Sequence, residues 1–217
     1  MKRILIVDDH PISRAGIASI IKEEADLTVC GEAGSASEAL TQIESTPPHL
    51  ALIDINLPDR NGIELIKDLQ ALHPEIKLIA ISMHDESLYA ERVLRAGGQG
   101  YISKQAGGAE MTLAIQKVIK GGLYLSEAMS EMLVRAAANQ SQDSRAKDPI
   151  STLTDRELEV LQHIGEGRNP RSIAEKLGVS HRTIEAHRTN IKEKLKLKDM
   201  TELIRFATRW ADRSPGP

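Results

Sequence analysis

Five short apolar runs constrain this chain most. They are "RILIV" (3–7), "LTVCGEA" (27–33), "LALI" (50–53), "KLIAIS" (77–82) and "GYIS" (100–103). Segments with apolar residues three to four apart lie between them, such as Ile63, Ile66, Leu69 and Leu72. A strand with one wet face alternates apolar and polar residues. "ILIV" and "LALI" do not alternate, so both their faces must be covered. Strands separated by helical patterns predict a parallel sheet with helices on both sides. The five βα units fill residues 1–122, the size of one domain.

The pattern then changes. Residues 124–140 read as one amphipathic helix, and "SQDSRAKDP" (141–149) reads as a linker, giving a connecting segment over 123–150. Only helical signals follow, over 151–213. Thr154 and Glu157 have capping-box spacing. Asn169-Pro170 is a helix start and Gly178 a left-handed stop. Ser180 can cap a helix over 181–196, and Asp199 with Glu202 opens a last helix through Trp210. Charge divides the same way: net −5 over 1–124, −1 over 125–150 and +3 over 151–217. That asymmetry predicts two domains with different partners. No apolar run is long enough to span a bilayer. Two aspartates interrupt "MKRILIVDDHP" where a secretion signal would stay apolar. The single Cys30 suits a reducing compartment. A cytoplasmic protein is expected.

Open parallel sheets bind ligands at the C-terminal ends of their strands. Asp8 and Asp9 end the first run and Asp54 the third. In a flavodoxin-like order, 2-1-3-4-5, those strands are neighbours and three carboxylates share one crevice. Ser82 ends the fourth strand and Lys104 follows the fifth, so both border it. Crowded carboxylates repel unless a cation neutralises them, and Mg²⁺ suits oxygen ligands. A lysine and a hydroxyl beside them suit phosphoryl oxygens, with Asp54 as nucleophile. The bland alternative is that aspartates after strands cap the next helix. A phosphatase of the Asp-x-Asp kind needs a second carboxylate as acid/base. Asn56 stands there instead and cannot carry the proton. A flavin site would want a Ser/Thr/Gly-rich loop after the first strand, where this chain has Asp-Asp-His-Pro.

"ILIVDDHP", "LIDINLPDRNGIEL", "IAIS" and "AGGQGYISK" together resemble the receiver domain of two-component response regulators, over roughly residues 1–122. The resemblance implies that Asp54 accepts a phosphoryl group from a histidine kinase. It implies that Asp9, Asp54 and the backbone carbonyl of Asn56 bind Mg²⁺ (or Mn²⁺), with Asp8 helping through water. Ser82 and Tyr101 would form the switch, Ser82 moving toward the phosphoryl group and Tyr101 turning inward. Gln105 stands where many receivers have proline.

"RSIAEKLGVSHRTIEAHRTNIKEKLK" (171–196) is helix, tight turn, helix. On the second helix Ile184, Ile191 and Leu195 face inward, with His187 on or beside that stripe. Arg182, Glu185, Ala186, Thr189, Lys192 and Lys196 form the opposite stripe. Such a helix can enter a major groove. Arg182, Arg188, Lys192 and Lys196 are candidates for phosphates, Glu185 and Thr189 for base edges. Charge alone would favour a solvated face in a small bundle. The stretch 153–208 resembles the DNA-binding domain of LuxR-type regulators through Leu153-Thr154-x-Arg156-Glu157, Ile173-Ala174, Gly178-Val179-Ser180 and Thr183-Ile184-x-x-His187-Arg188-x-Asn190-Ile191. By that resemblance Thr183 and His187 join the DNA contacts; otherwise His187 packs half-buried beside Ile184 and Ile191. No His/Cys spacing supports structural zinc.

Together the two halves resemble the NarL/FixJ branch of response regulators. The expectation is a transcription regulator, not a turnover enzyme, whose phosphorylation controls dimerisation or binding to promoter DNA. A DNA-binding regulator controlled by a protein partner at the receiver, without phosphorylation, is the alternative.

Overall fold

The computed structural model describes residues 1–83, 86–138 and 149–211. The chain forms two units, 1–133 and 134–217. In the first, strands β1 (Lys2–Val7), β2 (Leu27–Ala33), β3 (Leu50–Asp54), β4 (Lys77–Ser82) and β5 (Gly100–Ser103) make one parallel sheet in the order β2-β1-β3-β4-β5. This is the flavodoxin-like order expected from the sequence. The connecting helices are α1 (Pro11–Lys22), α2 (Ala36–Ser45), α3 (Gly62–Leu72) and α4 (Glu86–Arg95), and α5 (Gly108–Ile119) follows β5.

The non-alternating runs are buried on both faces. Ile4, Ile6, Leu50, Leu52, Ile79 and Ile81 pack with Ile17 and Ile21 of α1 and with Met111, Ile115 and Val118 of α5. Leu5, Val7, Ala51, Ile53, Leu78 and Ala80 alternate with them and are equally buried. Each fully buried Leu or Ile side chain stabilises by about 1.5–3 kcal/mol. The register places Asp54 opposite Ile81 and Ser82 opposite Ser103, so the ends of β3, β4 and β5 are level.

The helix expected over 124–140 is shorter, α6 (Glu127–Ala138), and residues 139–140 lie outside the described residues. Tyr124 is not helical. It runs along the edge of β5, donating its N–H to Gln99 O (2.9 Å) and accepting from Tyr101 N–H (3.0 Å). An unpaired edge satisfied this way outcompeted the helical start. The expected linker 141–149 lies outside the described residues except for Pro149.

In the second unit a 3₁₀ turn (Pro149–Thr152) precedes helices α7 (Asp155–Gly165), α8 (Pro170–Lys176), α9 (His181–Lys194) and α10 (Met200–Ala211). Their caps are the ones the sequence marks. Thr154 and Glu157 form a reciprocal capping box, Asn169 accepts from Ser172 N–H, and Ser180 accepts from Thr183 N–H. Gly178 adopts φ 61°, the left-handed conformation that stops α8. Leu158 is buried on α7. Leu161 and Ile164 of the same helix, Ile173 of α8, Ile184 and Ile191 of α9 and Leu203 of α10 share one core.

Candidate functional site: an acidic crevice and a helix-turn-helix

The fold brings Asp8, Asp54 and Lys104 together. Asp8 is the residue after β1, Asp54 the last of β3, and Lys104 the residue after β5. Lys104 Nζ lies 2.7 Å from Asp8 Oδ2 and 2.7 Å from Asp54 Oδ2. Both aspartates are buried. Burial pushes the Asp54 carboxyl up to about 6; Lys104 opposes this and the nearby Asp8 charge adds to it. Burial also raises Asp8, but hydrogen bonds from Lys104, from Ser13 Oγ (2.6 Å) and from His10 N–H (2.8 Å) leave it below its ordinary value. Burial presses the Lys104 ammonium down, and the two carboxylates outweigh it and hold it above.

Asp9 is more open and sits 2.5 Å from His10 Nδ1. Asp8, Asp9, His10 and Asp54 each offer one ligand atom, all within 4.8 Å of one another. Carboxylate oxygens gathered at this distance fit a hard divalent cation. The capping alternative holds in part, since Asp8 bonds the first turn of α1 through His10 and Ser13. Its second oxygen also faces Lys104, so one side chain does both. Sequence reasoning passed over Ser13, His10 and Arg14, whose guanidinium donates to the Asp8 carbonyl. Their signal was local, an aspartate followed by polar residues in the first turn of a helix.

The β3–α3 loop completes the rim. Asn56 N–H donates to Asp54 Oδ1 (3.1 Å), Asn56 pairs with Asn61, and Gly62 N–H donates to Ile55 O (2.8 Å). A Cβ on Gly62 would fall on the Asp54 carbonyl oxygen, so only glycine lets α3 start this close to the strand. Ser82 is buried at the end of β4, where its carbonyl accepts from Lys104 N–H (2.8 Å). Tyr101, in β5, is also buried, 2% exposed.

On α9, Ile184 and Ile191 are buried. Leu195, just past its end, is buried too, which reproduces the expected inward stripe. Arg182, Thr183 and Thr189 are exposed, and Glu185, Lys192 and His187 are partly so. His187 lies half-buried, and burial lowers its imidazole, followed by the Arg156 charge. Arg188 turns along its own helix instead of outward: Nη1 donates to Glu185 Oε1 at 2.6 Å, and its side chain is 12% exposed. The expected helix 181–196 stops at Lys194. Lys196 takes φ 55°, and Leu197 N–H returns to Lys192 O. Lys196 therefore lies off the helical stripe that was expected to carry it. Around the turn, Arg156 donates to Leu177 O (2.7 Å) and to Glu159 Oε2 (2.9 Å), and Lys194 Nζ meets Glu157 Oε2 at 2.6 Å.

A doubly wound sheet with this crevice, followed in the chain by a helix-turn-helix unit, defines a class: receivers joined to DNA-binding modules. The family model for the response regulator receiver domain matches residues 4–116, and that for bacterial regulatory proteins of the luxR family matches 151–207. The chain belongs to the response regulators with a LuxR-type DNA-binding domain. It is 36% identical over 210 residues to the oxygen regulatory protein NreC of Staphylococcus aureus, covering 95% of this chain and 97% of that one. It also resembles a two-component response regulator of the LuxR family from Aurantimonas sp. SI85-9A1, with 29% identity and TM-score 0.59 over 64% of this chain and 99% of that one. The response regulator RcsB of Salmonella typhimurium matches over 96% of this chain and 98% of its own, at 25% identity and TM-score 0.58. Among the described residues no helix is long and apolar enough to cross a membrane.

Proposed function

We propose that a phosphoryl group on Asp54 switches this response regulator, and that residues 1–122 receive it, 123–150 connect, and 151–213 bind promoter DNA. One observation carries the reading: Lys104 Nζ stands 2.7 Å from the carboxylate that terminates a central strand. An Asp54 oxygen attacks phosphorus in line. The bond from phosphorus to the donor breaks, and the donor keeps its electron pair and takes a proton. With a histidine kinase as donor, the leaving group is the kinase imidazole. Lys104, paired with Asp54 beforehand, would turn to an equatorial phosphoryl oxygen, and the Ser82 hydroxyl to another. Asp8, Asp9, Asp54 and the Asn56 carbonyl would hold Mg²⁺ or Mn²⁺. When bound, that cation supplies the positive charge that offsets clustered carboxylates and phosphoryl oxygens. The aspartyl phosphate is a signal, not a product released at each turnover.

Arg182, Arg188, Lys192 and Lys196 are proposed to reach DNA phosphates; Thr183, Glu185, His187 and Thr189 complete the contact set. Arg188 would first leave Glu185, and Lys196 would act from beyond the helix end. Phosphorylation would favour a homodimer that sets two α9 helices about 34 Å apart, one DNA turn. The RcsB likeness, to a structure described for its DNA interaction, supports this half. A lone Cys30 suits the reducing setting of the cytoplasm, which is the compartment proposed. Incubation of the full chain with acetyl phosphate and Mg²⁺ is expected to add one phosphoryl group by intact mass, and none to Asp54→Asn. Equal labelling of the variant would remove Asp54 from this role.

A further inference from the structure

Asp59 lies outside the crevice, five residues after Asp54, yet its carboxylate is spent on a distant helix. Oδ1 accepts Ala36 N–H at 3.0 Å. Oδ2 accepts Ser37 N–H at 2.9 Å and Ser37 Oγ–H at 2.8 Å. These are the first two amides of α2, which no residue of that helix can satisfy. Ser35 already caps the third, accepting Glu38 N–H. Burial raises the Asp59 carboxyl, but the Ala36 and Ser37 donors prevail and hold it below its ordinary value. It therefore stays charged, and charge-assisted bonds at a helix N-terminus are strong ones.

The geometry of the loop gives this tie a second consequence. Residues 55–61 leave β3 and return to α3 as a closed loop. Its base is fixed by Gly62 N–H on Ile55 O and by the pairing of Asn56 with Asn61. Asp59 is at the tip, where its neighbour Arg60 also pairs with Asp68 of α3 (2.8 Å); the tie through Asp59 is the one that runs to α2. The neighbouring loops are knitted the same way, since Asp8 N–H donates to Ala33 O (3.0 Å), two residues before the Ser35 cap. The tip of the β3–α3 loop is thus pinned to the same junction that anchors the Asp8 end of the crevice.

We propose that Asp59 is a positioning residue for the divalent-cation site: by pinning its loop to α2 it fixes the direction of the Asn56 backbone carbonyl. The assignment rests on the cation reading above. Asp59 touches neither cation nor phosphoryl group. Its effect is to keep a backbone ligand from wandering, which costs affinity when lost.

The test is calorimetric titration of the full chain with MgCl₂, alongside thermal unfolding. Asp59 is exposed, so Asp59→Ala leaves the core intact. Cation affinity is expected to fall about tenfold in Asp59→Ala and to recover to within about threefold in Asp59→Asn, which keeps one acceptor. Ser35→Ala loosens the same helix end without touching the loop and is expected to keep wild-type affinity. An Asp59→Ala affinity equal to wild type would overturn the proposal, as would an equal loss in Ser35→Ala. A wild-type chain that takes up no Mg²⁺ would instead fail the cation reading itself, and this assignment with it.

Discussion

Removing Lys104 tests the electrostatics of the crevice most directly. Asp54, pushed up to about 6 from an ordinary 3.8, already costs the folded state about 3 kcal/mol above pH 6, even with Lys104 beside it. In Lys104→Ala two buried carboxylates face each other without their cation. Breaking a buried pair from one side costs about 3–5 kcal/mol. A proton on Asp54 can relieve this, which sets the pH dependence. A carboxyl raised in the folded state favours folding where it is protonated and opposes it where it must ionise. The penalty of the variant is therefore small near pH 5 and grows as pH rises through 6 toward 8. Urea unfolding of the full chain in EDTA, which keeps cations out of the comparison, reads it. At pH 8 a loss of about 3 kcal/mol lowers the midpoint of the receiver transition by about 1.5 M for a slope near 2 kcal/mol/M. Asp54→Asn in the same background should restore most of it, because a neutral amide needs no counter-charge. A pH-independent loss, or none, would refute the coupling of Lys104 to Asp54.

On the DNA side, Lys192→Ala is expected to weaken binding to every duplex and to flatten the salt slope by about one unit, read by fluorescence anisotropy across salt concentrations; an unchanged slope takes Lys192 off the phosphates. Just past α7, hydrogen bonding to His163 and then Arg168 holds the Glu166 carboxyl down to about 2, against burial. A depressed carboxyl contributes stability that is present above about 4.5 and is lost as pH falls toward 2. Glu166→Gln should then cost about 1 kcal/mol at pH 7, discounted for its partial exposure, and nothing near pH 2 in the melting of the C-terminal domain.

Much of this protein is written in short stretches of its sequence. Non-alternating runs place the parallel strands, and Thr154, Asn169, Ser180 and Gly178 mark where helices start or stop. The reason is that caps and periodicity act within about four residues, so the sequence carries them directly. The acidic residues of the crevice were legible too, because strand ends in such a sheet converge. What the sequence does not carry is which charges meet. Lys104 reaches fifty positions back to Asp54 and ninety-six back to Asp8. Asp59 reaches twenty-two residues back to α2. Arg188 folds onto Glu185, Tyr124 closes the β5 edge instead of starting a helix, and Lys196 leaves α9. Each outcome depends on distances that exist only after the chain has folded. Burial then amplifies them, by removing the water that would otherwise screen the charges and satisfy the edge.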